Sequence, residues 1–132
     1  MKIKKRVLCP QRLRRVPAQF SWIDQRLVRE RAYLQGCSAS TLGLYLVLVT
    51  VGDAEGLSYY SEATLGKMLG MDGTQLAQAR AQLCQADLIV YEPPLYQVLS
   101  LEKPEELAAS TSRAGQSLNA AEILRRIVGG ER

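Results

Sequence analysis

No histidine occurs anywhere in the sequence. General acid–base catalysis and Ser–His or Cys–His nucleophile activation therefore lose their usual base, and the common zinc spacings cannot be assembled. Cysteine is scarce too. Cys9, Cys37 and Cys84 stand far apart, are odd in number and form no C-x-x-C pair. They read as free thiols of a reducing compartment rather than as a disulfide framework. No G-x-x-x-x-G-K-[ST] phosphate loop is present, and Gly129-Gly130 lacks the strand-then-helix setting of a nucleotide site. The familiar enzyme classes fall away, and no catalytic residue, cofactor or metal is expected.

Long apolar runs are missing as well. The longest, Leu42 to Val51, is interrupted by Gly43 and Thr50 and falls well short of the ~20 residues that cross a bilayer. A buried element is expected there, with no membrane contact. The basic N-terminus is not followed by an apolar stretch and a small-residue cleavage site, so no signal peptide is read and the expected location is the cytoplasm. A single-strand binder would need several exposed rings, so Phe20 and Trp22 are read as core residues in preference to base-stacking platforms. Phe20 and Trp22 are expected to anchor the core.

Positive charge is present but confined. Lys2, Lys4, Lys5, Arg6, Arg12, Arg14 and Arg15 give residues 1–15 a charge of +7 with no acid, within a net +4 for the chain. Between Ala32 and Ala108 only Lys67, Arg80 and Lys103 oppose nine acids, a balance of −6. An anion is therefore met chiefly by the tail and its neighbours. Residues 1–18, with Pro10 and Pro17 and no sustained period, read as a flexible basic arm for phosphate backbones, where each neutralised phosphate releases counterions. A merely solubilising tail is the other reading open.

The folded part is expected over residues 19–107. Ser21-Trp22-Ile23-Asp24 fits a capping box for a helix over about residues 22–34, with Ile23, Leu27 and Leu34 inward and Arg26, Arg29 and Arg31 outward. Gly36 stops it. Ser38 or Ser40 caps the next stretch, whose Val47, Val49, Thr50 and Val51 would also suit a strand. Its length and caps predict a central helix, buried because it is apolar all round. Asp53 to Gly56 turns the chain, and Leu57 to Tyr60 is placed to add a short strand. Ser61 caps a helix with Leu65, Met68 and Leu69 on its apolar face, ended by Gly70. Asp72 and Gln75 make a D-x-x-Q capping box for a second helix carrying Leu76, Ala79 and Leu83 at helical spacing. Only Met71 and Asp72 remain for the turn, which implies a steep crossing with the first turn of the second helix presented outward. Leu88 to Tyr91 and Leu95 to Leu99, separated by Glu92-Pro93-Pro94, read as a hairpin. The class is mainly α with a small β-hairpin, α+β. Residues 108–116 have linker composition. Residues 117–132 follow with Leu118, Ala121, Leu124 and Val128 on one helical stripe, suited to packing on its own core, pairing with a second copy in a homodimer, or docking on a partner protein.

The stretch Tyr59 to Leu101 resembles the winged helix-turn-helix domains of bacterial replication-initiator and primosomal proteins and of many small bacterial regulators. The likeness rests on Leu44 to Val51, on Asp53-Ala54-Glu55-Gly56, on Leu65-Gly66-Lys67-Met68-Leu69-Gly70, on Asp72 to Gln82, and on Leu83-Cys84-Gln85-Ala86-Asp87-Leu88-Ile89. It covers roughly residues 19–101. It implies a non-enzymatic protein binding double-stranded DNA in transcription regulation, replication or the life of a mobile element. Gly73, Thr74, Gln75, Gln78 and, further along, Gln82 match positions that touch DNA in such proteins, with glutamine suited to adenine. Lys67 is the other cation near the groove, and Arg80 reaches either a phosphate or a nearby acid. The chain departs from the pattern in having neutral residues where Arg or Lys is usual, and Glu92-Pro93-Pro94 at the wing tip. A plain solvated helix face also accounts for Gln75 and Gln78. The rival function is a protein-interaction module that assembles a complex through its acidic core and C-terminal helix.

Overall fold

The computed structural model describes residues 3–102. In chain order come helices α1 (Arg26–Arg29) and α2 (Ala39–Val51), strand β1 (Leu57–Ser58), helices α3 (Glu62–Leu69) and α4 (Gly73–Gln85), and strands β2 (Ile89–Glu92) and β3 (Leu95–Val98). The strands form one antiparallel sheet in the order β1-β3-β2. The fold is thus mixed α+β, with a third strand completing the hairpin.

Side-chain caps set the helix starts. Ser38 accepts from the Thr41 N–H, Ser61 from the Thr64 N–H and Asp72 from the Gln75 N–H. Each satisfies a donor that the first helical turn leaves orphaned. The helix ends are equally specific. Gly70 closes α3 at φ 66°, and Met71 N–H reaches back to Gly66 carbonyl oxygen at 3.0 Å. A side chain at Gly66 would stand 2.7 Å from the Met71 oxygen, so the tight turn needs glycine at both places. Asp87, at φ 62°, closes α4 with paired bonds from its own N–H to Cys84 and from Leu88 N–H to Leu83. This Schellman arrangement turns Leu88 into the core.

The Asp53-to-Gly56 turn does two jobs. Asp53 Oδ1 accepts from the Leu57 N–H at 2.9 Å while Asp53 N–H donates to the Leu57 carbonyl at 3.0 Å. These bonds occupy the backbone of β1 on the edge away from β3, which blunts an otherwise open sheet edge. Gly56, at φ 82°, lies so close to β3 that an added Cβ would be 2.7 Å from the Val98 oxygen.

Leu44, Tyr45 and Leu48 of α2, Leu65 of α3, Leu76, Ala79 and Leu83 of α4, and Leu88, Ile89 and Tyr96 of the hairpin pack into one core, joined by Leu27. Each fully buried leucine contributes about 1.5–3 kcal/mol relative to exposure. Burial on the α4 side decides the conformation of α2 against its β-branched residues, since strand propensity spans only ~1 kcal/mol. The helix is not buried all round, however: Leu46 is 54% exposed.

The N-terminal part departs most from expectation. In place of a helix over about residues 22–34 there is a single turn, α1, followed by a 3-10 turn at Arg31–Tyr33. The proposed capping box does not form. Ser21 hydroxyl donates to the Thr50 carbonyl of α2 at 3.2 Å, and Asp24 accepts the Arg26 N–H at 2.9 Å, so the helix starts two residues beyond Asp24. Ile23 does not face inward, and Phe20 and Trp22 are not core anchors; they are 44%, 65% and 56% exposed.

Candidate nucleic-acid interface

The capping box fixes the head of α4. Asp72 Oδ1 accepts from Gln75 N–H at 2.8 Å, and Gln75 Oε1 accepts from Asp72 N–H at 2.9 Å. Gly73, Thr74, Gln75 and Gln78 are all exposed. The box commits the carbonyl oxygen of Gln75, however, and a bidentate contact with adenine uses that acceptor together with the amide donor. Gln78 makes no side-chain hydrogen bond among the described residues and is the freer of the two. Ala77, Ala81, Cys84 and Gln85 extend the exposed surface, and none of these exposed α4 residues is charged.

Gln82 does not join that surface. Its Oε1 accepts from Ser38 N–H at 3.1 Å and from the Thr41 hydroxyl, tying the middle of α4 to the first turn of α2. Thr41 is fully buried, so Gln82 satisfies a polar group that would otherwise cost stability.

Arg80 turns to the acid rather than to solvent. Its Nη2 lies 3.1 Å from Glu62 Oε1 at the start of α3, and its Nη1 donates to Tyr96 Oη at 3.1 Å. The guanidinium sits 4.5 Å from the centre of the Tyr91 ring, which in turn lies 4.5 Å from the Tyr96 ring. Burial lowers the pKa of Arg80, but the Tyr96 hydrogen bond and the Glu62 contact together raise it above the ordinary value. Burial likewise raises the Tyr96 phenol, so the pair is a cation on a neutral phenol. Arg80 thus braces α3, α4 and the hairpin against one another, the geometry that aims α4.

Lys67, in the last turn of α3, is exposed and has no ion pair among the described residues. Lys4, Lys5, Arg6, Arg12, Arg14 and Arg15 are likewise exposed and unpaired there, while Lys2 lies outside the described residues. Their segment is extended apart from one 3-10 turn at Pro10–Arg12, and its first hydrogen bond to the folded body is the one from Ser21. Arg29 and Arg31 are also exposed. Arg26 instead brackets Asp24 at 2.7 Å and reaches Glu102 at 3.5 Å. Those hydrogen bonds hold Asp24 below the usual carboxylate range.

No family model, curated protein or solved structure matches the chain.

Three of the acids lie at helix starts and on the hairpin: Glu62 in the first turn of α3, Asp72 as the cap of α4, and Glu92 at the end of β2. Asp72 already supplies the negative charge that a helix N-terminus attracts, so the head of α4 does not present a phosphate site. A shallow groove of ≈ 530 Å³ beside β1 is lined by Val51, Asp53, Leu57, Ser58, Tyr59, Tyr60 and Leu95, without a cation. Among the described residues no three potential metal ligands come together, and no helix is long and apolar enough to cross a membrane. Leu118, Ala121, Leu124 and Val128 lie outside the described residues.

Proposed function

We propose that the chain is a small winged-helix protein of the bacterial cytoplasm that binds double-stranded DNA without catalysis, as a regulator or as an accessory factor of replication or of a mobile element. In this reading α3 and α4 are the helix-turn-helix, β2 and β3 are the wing, and the basic arm lies along the phosphates. The order α2-β1-α3-α4-β2-β3 and the sheet order β1-β3-β2 fit that assignment.

The observation that carries the proposal is the exposed surface of α4. A helix face that serves only to meet water is normally dressed with charged side chains. Here Gly73, Thr74, Gln75, Ala77, Gln78 and Ala81 are small or amide-bearing, and none is charged. Such a face can approach base edges closely, read them by hydrogen bonds and lose little hydration in doing so. The division of labour follows: the arm supplies sequence-independent affinity and α4 supplies discrimination.

Ala81→Glu tests this directly. Ala81 is exposed, so the fold should tolerate the change, while a carboxylate on the groove-facing surface should weaken duplex binding at least tenfold, the equivalent of about 1.4 kcal/mol. Unchanged affinity, measured by fluorescence anisotropy, would place the DNA away from α4. A second reading, a protein-interaction module, is favoured by the acids Glu62, Asp72 and Glu92; it predicts binding to a basic protein partner and no salt-dependent affinity for duplex.

A further inference from the structure

The largest apolar residues left uncovered around α1 and α2 are Phe20, Trp22, Val28 and Leu46, with exposures of 65%, 56%, 72% and 54%. Two observations bring Phe20, Trp22 and Leu46 into one neighbourhood. Ser21, between Phe20 and Trp22, is hydrogen-bonded to the Thr50 carbonyl, and Thr50 hydroxyl donates to the Leu46 carbonyl one helical turn earlier. The segment is therefore attached to the last turn of α2, with an aromatic residue on each side of Ser21 in the sequence. Exposed apolar groups gathered in this way mark an interaction surface rather than random exposure.

The end of the described chain points to the occupant. Glu102, its last residue, contacts Arg26 at 3.5 Å, and Arg26 is clasped by Asp24 at 2.7 Å. Asp24 is two residues from Trp22, a separation of at most about 7 Å between Cα atoms. The rest of the chain thus departs from the border of the apolar surface. Residues 103–116 then provide fourteen residues of tether, which can reach at most about 50 Å. Beyond them come Leu118, Ala121, Leu124 and Val128 at helical spacing, with Arg125 and Arg126 next to Leu124.

We infer that residues 117–128 of the same chain dock on the surface formed by Phe20, Trp22 and Leu46. Tethering favours this occupant over a second copy: attachment through fourteen residues raises the segment's effective concentration to about the mM range, above the μM range of a dilute protein. Docking also fixes the root of the basic arm, because the arm runs directly into Phe20. The inference does not depend on what the arm binds.

Trp22 is the sole tryptophan and stands in the docking surface, so its emission reports the contact. The full-length protein is compared with Leu124→Asp, which disables the segment, and with Leu46→Asp, which alters the receiving surface at an exposed residue. Folding of each is checked by far-ultraviolet circular dichroism. Docking predicts a blue-shifted emission in the full-length protein, independent of protein concentration and red-shifted by either substitution, with acrylamide quenching rising roughly twofold as the ring regains its exposure. A blue shift that appears only as concentration rises, with a doubled sedimentation mass, would overturn the inference in favour of a second copy. Emission and quenching identical in all three proteins would overturn it outright.

Discussion

Replacing Arg80 by Met separates its bracing role from a phosphate-binding role. The substitution keeps an unbranched apolar stem but removes the hydrogen bond to Tyr96, the ion pair with Glu62 and the cation over Tyr91, at 3.1, 3.1 and 4.5 Å. The Glu62 side chain is 57% exposed, so that pair contributes less than about 1 kcal/mol. The Tyr96 bond is the larger loss, since Tyr96 is only 1% exposed and a hydrogen bond to a charged group is worth about 1.5–3 kcal/mol. The stack on Tyr91 adds about 0.5–1 kcal/mol. These losses are not additive within one cluster, and the expected destabilisation is about 2–3 kcal/mol. For a domain of this size it corresponds to a fall in Tm of about 10–20 °C. The assay is thermal and urea unfolding followed by circular dichroism, paired with duplex binding well below the lowered Tm. The reasoning requires a large stability loss with the salt dependence of binding unchanged. A stability change below about 0.5 kcal/mol together with a salt slope shallower by about 0.9 would refute it and make Arg80 a phosphate contact.

Two glycines with positive φ should respond differently to alanine. Gly70 has open space around its absent Cβ, whereas at Gly56 the new carbon would be 2.7 Å from the Val98 oxygen; Gly70→Ala should cost about 1 kcal/mol and Gly56→Ala about 3 kcal/mol by chemical denaturation. Equal costs would contradict the close approach of the Asp53-to-Gly56 turn to β3. Acid should remove the contribution of Asp24: because its folded pKa lies below the ordinary 3.8, its stabilisation is present above that value and is lost as pH falls through the lowered one. Melting curves of the wild type and Asp24→Asn should therefore differ at neutral pH and converge in strong acid, and a gap that persists there would assign the difference to something other than the carboxylate charge.

The middle of the chain is legible in the sequence because its punctuation is local. Ser38, Ser61 and Asp72 cap the helices that follow them, Gly70 ends α3, and the D-x-x-Q box forms as read. The central helix is also recovered, where length and capping outweigh the β-branched residues. The N-terminal part is not legible for a corresponding reason. Ser21 finds a partner in Thr50, twenty-nine residues away in sequence, and no local pattern announces such a contact. Phe20 and Trp22 were expected inside on hydrophobicity alone, yet the folded body offers them a surface rather than a pocket. Gln82 is the converse, a polar side chain enlisted by the buried Thr41 and the start of α2. Its position beside the inward Ala79 and Leu83 was the one available signal. Arg80 was open between acid and phosphate in the sequence, and its contacts now lie with Glu62, Tyr91 and Tyr96.

The central claim is that the affinity for DNA resides in the arm, and a paired salt titration tests it most directly. The full-length protein and a variant lacking residues 1–15 are titrated on the same duplex across a range of salt concentrations. Every residue from Ile3 to Arg15 is exposed, so the deletion should leave the fold intact. If about five of the seven basic charges meet phosphates, the full-length protein should show a slope of log K against log salt of about −4.5, and the truncated protein a nearly flat slope with binding almost abolished. A truncated protein that binds as tightly and with the same slope would contradict the account, showing that the acidic body carries a DNA-binding surface of its own.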